Sequence, residues 1–360
     1  MCSFENPLVF CFIRRQKRPS QPSRIFMTFN QLSSGDLIAD RRADYAKMLA
    51  DAGDAPGAAE LMAQALELAP DWAAGWFRLA DYEEKSGRKE AAVDALRHTL
   101  RLNPEDIFGA SLKLALLGAT DTPEQPPSVY VERLFDDYAE RFDQALVEKL
   151  DYSVPEKLAA LIARMTDGGH FRRVADLGCG TGLFGERIRA RAEILEGFDL
   201  SANMLAKAEA KGIYDRLGQA DLSLVPEDSG VFGALSEQRA DLVSAADVMM
   251  YLGTLESVFV IADRLLAPGA LFAFSVEDAG ASGGFVLRPS LRYAHTKDYV
   301  ASLCFDNGLS MIAVEHTVIR RDAGQPVDNG LSMIAVEHTV IRRDAGQPVA
   351  GILFLARKPA

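Results

Sequence analysis

The stretch Val174-Ala-Asp-Leu-Gly-Cys-Gly-Thr-Gly182 holds the residues best placed to do chemistry. A short apolar run reaches Asp176. Gly178, Gly180 and Gly182 then alternate with Cys179 and Thr181, and a helical stretch opens at Leu183. Glycines at that spacing permit a tight turn and let the backbone approach a ligand closely. The helix that follows adds unpaired N–H groups at the positive end of its dipole. A second acid, Asp199, ends the apolar run Ile194–Phe198 about twenty residues past the glycines, where a carboxylate can accept two ribose hydroxyls. A third, Asp221, lies in Gly218-Gln-Ala-Asp-Leu222. Singly, these acids read equally well as a strand-end cap, a turn residue and a surface charge. Their succession at the ends of apolar runs is what points to a site. The dinucleotide pattern G-x-G-x-x-G asks for glycine where Leu183 stands, which disfavours nicotinamide redox chemistry.

Elements must hold these residues in place. The runs Val174–Leu177, Ile194–Phe198, Leu242–Ala246 and Ala270–Val276 alternate with helical stretches, and Ser201 is placed to cap one of them. That alternation predicts a parallel α/β sheet. Leu266-Ala-Pro-Gly reads as a helix end and a turn before the fifth strand.

The D-x-G-x-G-x-G turn resembles motif I of class I S-adenosylmethionine-dependent methyltransferases, and the resemblance extends in order over residues 130–360. It implies a Rossmann-like domain with a mostly parallel seven-stranded sheet and S-adenosylmethionine as cofactor. It implies a cofactor site of Asp176, Gly178, Cys179, Gly180, Thr181, Gly182, Asp199, Leu200, Met204, Asp221 and Leu222, with Asp221 at the adenine amino group. Leu134–Asp143 and Leu150–Pro155 resemble the lid of these enzymes, with Tyr138 over the methionine end. On the acceptor side the expected residues are Asp247 and Tyr251 after the fourth strand. Arg288, Arg292, Tyr293 and His295 follow in the long connection after the fifth. Of these, Arg292 and Tyr293 are candidates to hold substrate, and His295 is a candidate general base or else a residue beside the helix cap Thr296. Cys179 reads as a nucleophile or, more simply, as a small residue that fits a tight turn.

Methyl transfer from a sulfonium is an in-line displacement. The protein's main task is alignment, which can supply roughly 7–11 kcal/mol, and a base is needed only for an acceptor that must lose a proton early. No D/N-P-P-Y/F tetrapeptide and no Pro-Cys nucleophile occur, and 51 acids against 39 bases give a net charge of −12. Both observations argue against a nucleic-acid substrate. The expected acceptor is a small molecule or a protein. The competing reading is a non-catalytic S-adenosylmethionine-binding scaffold that acts through its N-terminal region.

That region repeats with a 34-residue offset: Gly53 and Gly87, Ala58 and Ala92, Met62 and Leu96, Pro70 and Pro104. It resembles the tetratricopeptide repeat, which implies two helical hairpins over residues 35–118, a closing helix at Ile107–Leu117, and a possible protein partner. Residues 1–34 are expected to be a disordered leader, with Met1 or Met27 as the start. The Pro-rich residues 119–129 are expected to be a linker. Four cysteines in neither a zinc nor a disulfide spacing, and no apolar run long enough to cross a bilayer, favour a metal-free cytoplasmic protein away from membranes. Residues 306–327 recur unchanged at 328–349. The second copy is expected to pair with the last strand, because a short hairpin closes at low entropic cost.

Overall fold

The computed structural model describes residues 33–141, 153–233, 235–280, 283–321 and 348–360. Residues 1–32 of the leader, the lid stretch 142–152 and residues 322–347 of the repeated copies lie outside them.

The N-terminal region folds as two antiparallel helical hairpins, α1 (Leu37–Asp51) with α2 (Ala55–Leu68) and α3 (Ala73–Lys85) with α4 (Lys89–Leu102). Gly53 and Gly87 turn the chain between the helices of each hairpin, with φ of +89° and +76°. A side chain would be strained there. Ala58 and Ala92 are wholly buried where the helices cross. Asp36 and Asp54 accept N–H bonds at the first turns of α1 and α2. The closing helix α5 (Ala110–Leu116) begins three residues later than the sequence suggests. Its start is set by Asp106, whose carboxylate accepts from Ala110 N (2.6 Å) and Ser111 N (2.9 Å).

Beyond it, α6 (Ser128–Tyr138) and α7 (Val154–Met165) lead into a seven-stranded sheet. The remaining elements, in chain order, are β1 (Phe171–Leu177), α8 (Leu183–Ile188), β2 (Ala192–Asp199), α9 (Ala202–Lys211), β3 (Arg216–Gln219), β4 (Ala240–Ala245), α10 (Glu256–Leu265), β5 (Leu266–Glu277), β6 (Phe285–Leu287), β7 (Tyr293–His295), α11 (Lys297–Asp306), β8 (Ser310–Arg321) and β9 (Pro348–Arg357). The sheet runs β3-β2-β1-β4-β5-β9-β8, and β9 alone runs opposite to the other six strands. This is the Rossmann-like arrangement expected. The short hairpin β6–β7 stands apart from it.

Two expectations change. Leu266–Ala270 is strand rather than turn: Leu266 pairs with Ala240, and the irregularity before Leu271 absorbs the Pro-Gly pair as a bulge. The strand that pairs with β9 is the first copy, β8, and not the second. The two copies are identical, so side chains cannot choose between them. The helix before the first copy does. At the end of α11, Gly308 (φ +68°) donates to Phe305 O and Leu309 N donates to Cys304 O (2.7 Å). Leu309 is buried, so β8 leaves the helix already against the sheet edge.

Candidate functional site

In the strand order, the connections from β1 and β4 leave in opposite directions. A crevice therefore opens at the carboxyl ends of these two strands. Around it stand the glycine turn after β1, Asp199–Leu200 after β2, Asp221–Leu222 after β3 and Asp247–Tyr251 after β4.

Gly178, Gly180 and Gly182 all take left-handed φ, of +65°, +54° and +94°. A Cβ on Gly178 would lie 2.3 Å from Val248 Cγ2, so the segment after β4 packs directly on the turn. Below the turn lies Tyr214. It approaches so closely that a Cβ on Gly185, inside α8, would meet its hydroxyl at 2.3 Å. Tyr214 donates that hydroxyl to Asp176 Oδ2 (2.7 Å), and Ser244 Oγ donates to Oδ1 (2.8 Å). Burial pushes the Asp176 carboxyl up to about 7, and these two donors pull against it. Both its oxygens are engaged beneath the turn. Asp176 thus fixes the end of β1 beneath the turn. Neither Tyr214 nor Gly185 carried a local signal in the sequence. Ser244 stood out only as a polar residue within an apolar run.

Asp199 is arranged differently. Its Oδ2 accepts from Gly180 N (2.8 Å) and its Oδ1 from Ser201 N (2.9 Å). Each oxygen keeps a second lone pair, so the carboxylate can still accept two hydroxyls, as a ribose diol requires. Burial raises it to about 6, against the lowering effect of these N–H donors. Cys179 is buried, and its thiol is pushed well up by that burial and by the nearby Asp199 and Asp176. It stays protonated, which removes the nucleophile reading. Thr181 is buried beside it. Met204 corrects an expectation: with Ala208 it forms the buried inner face of α9, so it is core. Ser201 caps α9 as read from the sequence, accepting from Met204 N (3.0 Å). Asp221 Oδ1 accepts from Ser223 N (2.9 Å) and Ser223 Oγ (2.6 Å), which shapes the turn after β3, with Leu222 buried next to it.

The lid helix α6 lies across this half of the crevice. Asp136 accepts from Ser201 Oγ (2.6 Å) and Asn203 N (3.2 Å), and Gln219 Nε2 bridges Glu132 Oε1 (3.0 Å) and Leu200 O (2.8 Å). Phe135 meets Tyr251 edge to face, with ring centroids 4.8 Å apart. Tyr138 sits half-buried in the last turn of α6.

On the β4 side, Asp247 holds a left-handed φ of +60°, and its N–H donates to Ser275 Oγ (2.9 Å). Such strain in a non-glycine residue concentrates at functional sites. Tyr251 closes a single 3-10 turn, Met249–Tyr251. The residues after β5 are not where the sequence reading put them. His295 is wholly buried, with Nε2 at 2.8 Å from Gly253 O, and burial drives it down to about 4. A neutral imidazole tied to a backbone carbonyl is a structural group and not an accessible base. Arg292 is buried in an ion pair with Glu277 (2.9 Å), so it is neither solvated nor free for a substrate anion. Tyr293 is wholly buried and donates its hydroxyl to Pro123 O (2.9 Å). Arg288 donates to Asp278 O (3.1 Å) within the same connection.

Pro123 belongs to the expected linker, which turns out to be a strap. Thr254 N donates to Glu124 O (2.8 Å). Gln125 Nε2 donates to Thr254 O (2.7 Å), and Gly253 N donates to Gln125 Oε1 (3.2 Å). A Cβ on Gly253 would fall 2.1 Å from Glu124 O. On the far side, Leu112 of α5 packs with Leu287 and Tyr293 of the β6–β7 hairpin. The helical region and the loop that carries Tyr251 are thus joined, through contacts with no footprint in local sequence pattern.

Residues 175–272 match the family model described as a methyltransferase domain. A malonyl-[acyl-carrier protein] O-methyltransferase of Enterobacter lignolyticus is 30% identical over 42% of this chain and 57% of its own length. The human methyltransferase-like protein 27 is 32% identical over 28% of this chain and 42% of its own length. The chain thus spans about half the length of these curated relatives. Among solved structures, the Burkholderia thailandensis 1,6-didemethyltoxoflavin-N1-methyltransferase, with bound 1,6-didemethyltoxoflavin and S-adenosylhomocysteine, is similar at TM-score 0.45 and 18% identity, covering 67% of this chain and 94% of that one. The chain carries an S-adenosylmethionine-dependent methyltransferase domain, and S-adenosylmethionine is that domain's cofactor. Among the described residues, no helix is long and apolar enough to cross a membrane, and no cluster of three or more His, Cys, Asp or Glu is set to hold a metal.

Proposed function

We propose that the protein transfers a methyl group from S-adenosylmethionine to a small molecule or to a group presented by a protein. The observation that carries this reading is Asp199, which holds Gly180 N–H of the glycine turn and keeps two lone pairs for a ribose diol. When bound, the cofactor supplies an activated sulfonium methyl. The rest of the site's work is alignment. In this reading residues 178–182 and Asp221–Leu222 hold the nucleoside, α6 excludes water above it, and Asp247 and Tyr251 face the acceptor. With His295 and Arg292 committed to structural contacts, the described residues of the site offer no strong base. An acceptor already nucleophilic at neutral pH suits it best. The relative that acts on a malonyl group of a carrier protein makes a carboxylate the first acceptor to test.

The same proposal takes residues 35–118 as a tetratricopeptide-repeat array, 119–129 as its connection, 130–360 as the methyltransferase domain, and the cytoplasm as its location. The test is calorimetric titration with S-adenosylmethionine and S-adenosylhomocysteine, beside Gly180→Asp. Micromolar binding lost in the variant is the expected result. A folded protein that binds neither compound would end the enzymatic reading.

A further inference from the structure

Helix α1 has two apolar faces. The inner one is built of Ala39, Ala43 and Ala46 and packs into the helical array. The outer one carries the larger residues Leu37, Ile38, Tyr45 and Met48, which are 66%, 59%, 62% and 64% exposed. An exposed stripe of that kind, larger in side chain than the buried face of its own helix, is unusual for a solvated surface. The 34-residue repeat shows what such a face does elsewhere in the molecule. Thirty-four places on from Ile38, Arg41, Tyr45 and Met48 stand Trp72, Gly75, Leu79 and Tyr82, and all four are buried in the core of the array, where α3 packs on α2. The outer face of α1 is the equivalent of a helix-packing face, at the end of the array where no described helix precedes it.

The pattern on this face fits a second copy of the chain. Leu37, Arg41, Asp44 and Met48 follow one another at intervals of four, three and four, the spacing of a helix–helix seam. Run antiparallel about a two-fold axis, that seam is self-complementary. Leu37 faces Met48 of the other copy at each end, and Arg41 faces Asp44 of the other copy twice at the centre. Ile38 and Tyr45 flank it. The other charges nearby are engaged within their own helix region: Asp40 accepts from Ser33 and Ser34, and Lys47 pairs with Asp51 (2.6 Å). A parallel pairing would instead set Arg41 on Arg41 and Asp44 on Asp44. We infer that the outer face of α1 is a self-association surface, on which two copies of this chain pair antiparallel through Leu37, Arg41, Asp44 and Met48. A contact of one 15-residue helix from each copy is smaller than a standard stable interface, so the dimer forms in a concentration-dependent way.

Sedimentation of the full chain over about 1–200 µM tests this. The expected result is a monomer–dimer equilibrium in that range. Met48→Glu, which stays solvent-facing in the monomer, is expected to weaken dimerisation at least about tenfold. Arg41→Asp and Asp44→Arg should each do the same by bringing like charges together, and the double change R41D/D44R should restore the dimer. S-adenosylhomocysteine binding and helical content, unchanged in every variant, would show that folding is intact. A chain that stays monomeric throughout the range overturns the proposal. So does a dimer indifferent to Met48→Glu, or a double variant no tighter than the single ones. A chain that dimerises only after residues 1–32 are removed would also overturn it, assigning the face to a segment of its own chain.

Discussion

The two halves of the crevice are held together by different means. Beside β1 and β2, the fixing contacts end on two buried carboxylates. Asp199 grips Gly180 and Ser201, and Asp176 is held by Tyr214 and Ser244. Beside β4, the loop 249–255 is held by neutral groups far away in sequence: Gln125 and Glu124 of the strap, and His295 of β7. The first half is therefore organised around the carboxylates of Asp176 and Asp199. The acceptor half is shaped by what this particular chain places around it. Under the proposed function, recognition of the cofactor and choice of acceptor would be carried by separate sets of contacts.

Asp199→Asn is expected to break the first half most severely. It keeps shape but loses the charge that strengthens each hydrogen bond, so cofactor affinity measured by calorimetry should fall about 10–100-fold. The same variant should change the pH dependence. The Asp199 carboxyl titrates near 6 in the fold against about 3.9 in an unfolded chain. Between those values the folded state binds more protons, so the stabilisation is full below about pH 4 and is lost as pH rises through about 6. Asp176, near 7, acts in the same direction. Melting temperature of the cofactor-free protein should therefore fall from pH 5 to 7, and less steeply in Asp199→Asn. An unaltered slope would show that the raised carboxyl is not Asp199.

Tyr214→Phe removes one of the two donors to a buried carboxylate and should cost about 1–3 kcal/mol in denaturant unfolding. Cofactor affinity should drop less than in Asp199→Asn, because the Asp176 carboxylate is kept and only one of its two donors is lost. Gln125→Ala sharpens the other half. It leaves Gly253 N and Thr254 O without their strap partner, and a loss of about 1 kcal/mol is expected. Amide exchange should quicken at Gly253 while S-adenosylhomocysteine affinity stays put. An affinity loss as large as the one for Asp199→Asn would mean that the halves are not separable.

The smallest effect is expected from deleting residues 306–327. Removal of either repeated copy yields the same chain. Arg321 pairs with Pro348, and the equivalent of Arg321 in the second copy is Arg343. The shortened chain would therefore keep this register and close it with residues 344–347 as a turn. Stability and cofactor binding should not fall, and a variant that fails to fold would show that both copies are structural.

Separation along the chain governs what could be read in advance. The glycine turn, the acids at the ends of β1 and β2, the cap Ser201 and the alternation of strands are dictated by short-range rules of backbone freedom and burial. The 34-residue offset likewise pairs Gly53 with Gly87, and both glycines turn the chain between helices. Tyr214, Ser244 and Gln125 act only because the fold brings them to partners 38, 68 and 128 residues away, and no local pattern announces that. His295, Arg292 and Met204 misled for the converse reason. Their residue types suit a site, and only burial reveals that each is already committed elsewhere.

One consequence of the strap is optical. Both tryptophans of the chain, Trp72 and Trp76, lie in the helical array, and Trp76 stacks on His98 with ring centroids 4.0 Å apart. Ultraviolet emission excited at the red edge of the spectrum thus reports on the array alone, and ligand capture in the α/β domain is dark by itself. A change of emission colour or intensity on adding S-adenosylhomocysteine would report on the contacts between the two regions, among them the strap, the β6–β7 hairpin and Tyr130 of α6 beside Gly109. The protein thereby carries a built-in lamp on one side of the junction for watching events on the other.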